Sequence, residues 1–109
     1  MKKLFVIMLL LLASVSFAGN QSGTITFLEV RAQDGLIHFA LSGTAKENSP
    51  ACATRGYWII RDENSGTGKM QYAMLLLAQA AGKKVFVNGL NTCTRWGDGE
   101  DVNSIGFVE

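Results

Sequence analysis

The chain has 109 residues, 48% hydrophobic and 17% charged, with 12 Gly, one Pro and two Cys. That length suits one small globular domain and excludes two. A formal net charge of +1 supplies no basic surplus to displace phosphate counterions, so nucleic acid is not an expected partner.

Part of the apolar content belongs to the N-terminus. Lys2 and Lys3 precede an apolar run over residues 4–12, and Ser16, Phe17 and Ala18 give a small-x-small pattern before Gly19. This reads as a bacterial secretory signal peptide over residues 1–18, cleaved after Ala18. The run is too short to span a bilayer as a helix, so no membrane span is expected after cleavage. The expected location is the periplasm or the cell exterior. Residues 19–109 would then form a single domain. Losing Lys2 and Lys3 leaves it eight basic against nine acidic residues, which again argues against nucleic acid. Cys52 and Cys93 both lie in this part, and an even cysteine count in a small exported chain is read as a disulfide. Closing a loop of about 40 residues contributes roughly 4 kcal/mol through chain entropy, which matters to a domain with a marginal core.

In chain order, residues 23–32 read as a strand whose alternation slips. Ile25 and Phe27 share one face, and Leu28 and Val30 the other, as in a bulged, strongly bent strand. Asp34 and Gly35 signal a hairpin turn into a second strand, where Ile37, Phe39 and Leu41 alternate with His38 and Ala40. A loop over residues 44–54 holds the single proline, Pro50, and delivers Cys52. A third strand over residues 57–61 sets Trp58 and Ile60 inward. After a turn-rich stretch, residues 69–81 favour a helix that stops at Gly82. Helical periodicity gathers Met70, Ala73, Met74, Leu77, Ala80 and Ala81 on one face, the expected core face, with Gln71, Leu75 and Gln79 opposite. Leu75 and Leu76 are then surplus to the core. They suggest a second buried surface, either a sheet edge or a neighbouring subunit. A fourth strand over residues 85–87, a glycine-punctuated loop with Cys93, and a fifth strand over residues 102–108 complete the chain.

Three strands, a helix, then two strands is the succession of a five-stranded Greek-key barrel of the OB type, with the helix between strands three and four. An open α+β sheet and a small sandwich with an inserted helix are the competing arrangements. The residues Pro50-Ala51-Cys52-Ala53-Thr54-Arg55-Gly56-Tyr57-Trp58, then Leu76-Leu77-Ala78-Gln79-Ala80-Ala81-Gly82, Val85-Phe86-Val87 and Asn91-Thr92-Cys93 make the chain similar to the binding subunits of subtilase cytotoxin and typhoid toxin. The resemblance covers about residues 50–93. It implies an OB-fold subunit of a pentameric ring that binds sialylated or related glycans and carries a toxin-like A subunit. This chain is shorter, has fewer cysteines and lacks the aromatic-rich segment that follows the helix in those subunits, so no sugar-contacting residue carries over.

The residues themselves offer little catalytic chemistry. His38 lies within a strand with no nucleophile clustered near it, so no catalytic residue is assigned. No His/Cys spacing repeats, and Asp98, Glu100 and Asp101 lack the register of a calcium loop, so no metal or other cofactor is expected. The same three carboxylates are the candidates for glycoside hydrolysis, but a barrel this small offers no deep cleft to raise an acid's pKa. The informative segment is Thr94-Arg95-Trp96-Gly97-Asp98-Gly99, in a connection that OB folds use for oligosaccharides. Trp96 offers a flat apolar face for a sugar ring, and Arg95 and Asp98 could orient its hydroxyls or an acidic group. Alternatively, Trp96 folds back over the barrel and Arg95 pairs with a carboxylate. The functional expectation is an exported, noncatalytic binding protein, a glycan-recognising oligomer with Leu75 and Leu76 at its subunit contact. The alternative is a small periplasmic envelope protein or inhibitor that binds a protein partner.

Overall fold

The computed structural model of the protein describes residues 18–43 and 45–108. Residues 1–17 of the expected signal peptide lie outside them. The described elements are β1 (Asn20–Gly23), β2 (Ile25–Val30), β3 (Ile37–Leu41), β4 (Trp58–Ile59), helix α1 (Gly66–Ala81), β5 (Val85–Gly89) and β6 (Glu100–Phe107). The described residues are mainly β with one helix, and a disulfide joins Cys52 to Cys93, as the cysteine count predicts. Among the described residues no helix is long and apolar enough to cross a membrane.

The strands form one mixed sheet in the order β1-β5-β6-β4-β3-β2. Among the described residues there are six strands where five were expected, and the sheet is not closed into the expected barrel: its two ends, β1 and β2, share no ladder. The added strand is β1, which precedes the expected first strand of residues 23–32 and overlaps it only at Gly23; across Thr24 the partner changes from β5 for β1 to β3 for β2. Within β2 the register shifts between Ile25, opposite Leu41, and Phe27, opposite Ala40. The extra residue turns Phe27 outward and Leu28 toward the core, so both Ile25 and Leu28 pack against it. Four of the ladders are antiparallel, whereas β4 and β6 run parallel through Trp58–Glu100 and Ile59–Asp101.

The core lies on the inner face. Ile37, Phe39 and Leu41 alternate inward from β3, Val85 and Val87 from β5, and Trp58 and Val102 join them. Trp58 is fully buried, as expected, and its indole N–H donates to Gln21 Oε1 at 2.9 Å, which satisfies the one polar atom that burial would otherwise orphan.

The helix stops where the sequence indicates, with Gly82 at φ 65° closing it through its N–H. It starts three residues earlier than residue 69, at an N-cap formed by Ser65, whose Oγ accepts from the Gly68 N–H at 2.9 Å. Its rotation reverses the expected one. Gly68, Gln71, Leu75 and Ala78 face inward, while Met70 is 73% and Leu77 59% exposed. Two contacts fix this. A Cβ at residue 68 would lie 1.9 Å from the Asp62 carbonyl oxygen, so the helix start abuts backbone that only glycine can approach. Gln71 reaches across to donate to the Asn103 carbonyl at 3.0 Å. Leu75, expected at an oligomer contact, is instead fully buried in the chain's own core, whereas Leu76 is 44% exposed. Leu75→Ala should therefore cost about 2–5 kcal/mol and Leu77→Ala no more than about 0.5 kcal/mol in urea unfolding; the opposite ranking would support the expected rotation.

Candidate ligand-binding site

The segment singled out in the sequence sits on the outer face of β2, β3 and β4, held between two loops. The hairpin joining β2 to β3 is closed by Arg31 N–H to Leu36 O at 2.9 Å and Gly35 N–H to Arg31 O at 2.8 Å. Asp34 caps it, accepting the Leu36 N–H at 3.1 Å, and its carboxylate also takes Arg31 Nε at 3.2 Å and the Arg31 Nη2 group. These bonds, the Arg31 guanidinium first, hold the Asp34 carboxyl down at about 2. They also place the Arg31 guanidinium over the Trp96 ring, 4.2 Å from its centroid.

Arg95 ties three loops together. Its Nε donates to Glu63 Oε1 at 3.0 Å, and Nη2 donates to the Asp34 carbonyl at 3.0 Å. The Arg95 guanidinium in turn holds the Glu63 carboxyl below its usual range. Of the two readings for Arg95, the geometry gives the pairing with a carboxylate, and its side chain is only 21% exposed. Trp96 is not folded away, and 37% of its surface remains exposed. Asp98 accepts a hydrogen bond from the Tyr57 hydroxyl, faces Arg55 Nε at 3.8 Å, and borders a shallow depression with Trp96 and Gly97. Burial first, then the Asp98 carboxylate, raises the Tyr57 pKa.

The face extends beyond the expected residues. Tyr57 meets His38 edge-on at 5.3 Å between ring centroids, and His38 meets Phe27 at 5.0 Å, while His38 Nε2 lies 3.2 Å from Glu29 Oε1. An aromatic row therefore crosses from β2 to the Trp96 loop. The sequence carried part of this signal, since His38 alternates with inward Ile37 and Phe39, whereas Phe27 shares the face of Ile25 by alternation and turns outward only through the bulge. The Arg31–Trp96 stack joins residues 65 apart and leaves no local pattern. Nor does a concavity of about 370 Å³ at the start of α1, walled by Arg61, Asp62, Ser65, Gln71, Leu90 and Asn103.

The three carboxylates weighed for hydrolysis point in different directions. Asp98 faces Tyr57 and Arg55, Glu100 faces the backbone of Gly19, and Asp101 serves the loop itself. Fully buried Asp101 accepts from Thr92 Oγ1 at 2.7 Å, Thr94 N at 2.9 Å, Thr94 Oγ1 at 2.6 Å and Arg95 N at 3.2 Å. Burial raises its pKa, but these donors more than offset that and hold it below the ordinary value. With the disulfide at Cys93, this carboxylate fixes the path of the loop that carries Trp96. Compared with protein-family models, curated proteins and solved structures, the chain matches none.

Because the folded-state pKa of Asp101 is depressed, its stabilisation should be complete above the unfolded value of about 3.9 and lost as pH falls through the folded one. Asp101→Asn should lower stability at pH 7 by at least about 1–3 kcal/mol, and it should flatten the acid limb of a urea-midpoint titration. An unchanged acid limb would exclude Asp101 as the group that holds the loop.

Proposed function

We propose that the protein is an exported, noncatalytic binding protein of the OB type, akin to toxin B subunits, which recognises a glycan through the face around Trp96. The strand order supports the architecture. β1 and β2 stand at the two ends of the sheet, yet they are one stretch of chain divided only at Thr24. Counted as one bent strand, they would be the first of five, with α1 between the third and fourth and the third paired in parallel with the fifth, the succession of a Greek-key barrel, although no ladder closes the sheet. In that architecture, ligands bind on the second and third strands and on the loops between strands one and two and between strands four and five. Arg31 and Trp96 come from those two loops, and His38 and Tyr57 from the face between them. That convergence carries the functional reading. Trp96 supplies the stacking surface, Asp98 a hydrogen-bonding carboxylate held by Tyr57 and Arg55, and Arg95 acts by tying the Trp96 loop to Glu63 and Asp34. The disulfide and the signal-like N-terminus support export to the periplasm or beyond.

Self-association is the second part of the reading. The outward helix face of Met70, Ala73, Met74, Leu76 and Leu77 is apolar, and α1 carries no acidic residue between Lys69 and the pair Lys83 and Lys84. A two-fold helix-to-helix contact would set lysine against lysine. A heterologous contact, in which the helix meets a different patch of its neighbour, avoids this and closes rings. The same apolar face favours one other reading, a monomeric envelope protein or inhibitor that uses it to bind a protein partner.

Light scattering and a glycan array of sialylated and related sugars, with Trp96→Ala alongside, separate the two. The first reading expects an oligomer and a glycan signal that Trp96→Ala weakens about tenfold or more. A monomer with no glycan signal, crosslinking in the periplasm to another protein through Met70 or Leu77, would replace it with the second.

A further inference from the structure

Glu100 is fully buried and points from β6 to the inner side of the sheet, opposite in sense to Asp101. Its Oε2 accepts the Gly19 N–H at 2.9 Å and the Asn91 N–H at 3.0 Å, and its Oε1 has no hydrogen-bond partner among the described residues. The nearby cation is Lys46, half-buried, whose Nζ also lacks a hydrogen-bond partner and lies 4.0 Å from the centroid of the Trp58 ring. Burial lowers the Lys46 pKa, and Glu100 acts on it only through space. A buried carboxylate with one unsatisfied oxygen and no bonded cation is costly.

The residue beside it is the one that signal cleavage would expose. Gly19 is buried while Ala18 is exposed, so the chain leaves the fold at the bond expected to be cut. Gly19 is firmly held: its carbonyl accepts from Gly89 N–H at 2.8 Å, and Asn20 exchanges two 3.0 Å bonds with Glu47. A Cβ at residue 19 would lie 2.2 Å from Glu100 Oε1, so the unpartnered oxygen rests against the Gly19 Cα, and a side chain there would displace it.

We propose that cleavage between Ala18 and Gly19 creates the missing partner: the new α-ammonium of Gly19 forms a buried ion pair with Glu100 and locks the N-terminal strand into the sheet. The proposal rests on the export reading for the cut itself. Water supplies the hydroxyl that leaves on Ala18 as a carboxylate, and Gly19 nitrogen, freed of its acyl group, takes up protons to become an ammonium. One N–H donor thereby becomes three, with a positive charge placed against both oxygens of Glu100. Lys46 is the other charged group facing that carboxylate. Asp101 lies on the opposite face of β6.

Two arms test this separately. N-terminal sequencing of the protein exported from cells carrying the full chain should begin at Gly19; another start, or no processing, overturns the maturation step and the export reading with it. For the pair itself, residues 15–18 of the folded, oxidised full chain are replaced by the recognition sequence of an endopeptidase that cuts immediately before Gly19. Cutting should raise the folded-to-unfolded ratio about tenfold or more, and Glu100→Gln should abolish that gain. An unchanged urea midpoint on cutting overturns the ion pair and leaves the export reading intact. Should Glu100→Gln not fold, the pH dependence of Gly19 carbamylation by cyanate in the cut chain decides. The amine should titrate above the usual 7.7–8.0, so the gain persists below that range and is lost as pH rises through the folded value. An ordinary or lower value overturns the pair.

Discussion

At the start of β6, strand alternation sends two neighbouring carboxylates to opposite faces, and both are fully buried. Glu100 reaches inward to the backbone of Gly19 and Asn91, and Asp101 outward to Thr92, Thr94 and Arg95. One fixes where the chain enters the sheet, and the other fixes the loop that presents Trp96. The same two residues pair with Trp58 and Ile59 in the parallel ladder that joins the two halves of the sheet. Backbone and hydroxyl donors surround Asp101 and offset the cost of burying it, whereas Glu100 has backbone donors on one oxygen only. The remaining architecture is arranged around supplying them.

The arginines extend that constraint to the surface. Asp34 and Glu63 draw Arg31 and Arg95 into fixed positions, so the hairpin loop, the helix-leading turn and the Trp96 loop behave as one unit. A flat aromatic surface held this way loses little freedom when something stacks on it, and little ordering entropy then opposes binding.

Much of this was legible in the residues. The bent first strand, the Asp34–Gly35 turn, the helix stop at Gly82 and the disulfide each follow from a local pattern. Helix rotation was not legible, because apolar periodicity ranks Met70 and Leu77 above Gly68 and Gln71. The deciding contacts, Gly68 against the Asp62 carbonyl and Gln71 on the Asn103 carbonyl, are steric and polar. The strand count failed at β1 because Asn20, Gln21, Ser22 and Gly23 carry no apolar alternation, and only their pairing with β5 shows that they form a strand. At the site, Trp96 and Asp98 announced themselves as unusual loop residues. Arg31 could not, since its partner is distant in sequence, and Arg95 advertised a charge without revealing that Glu63 would absorb it.

The place of β6 in the sheet has a consequence for when the chain can fold. It follows every other described strand in the sequence, yet it lies between β5 and β4, and it is the strand through which the β1–β5 ladder joins the β4–β3–β2 ladder. The six-strand order is complete only when residues 100–107 pair on both sides. Long-range pairing of this kind is slow. Whatever keeps residues 100–107 from β4 and β5 therefore leaves those two strands unjoined and the sheet in two pieces.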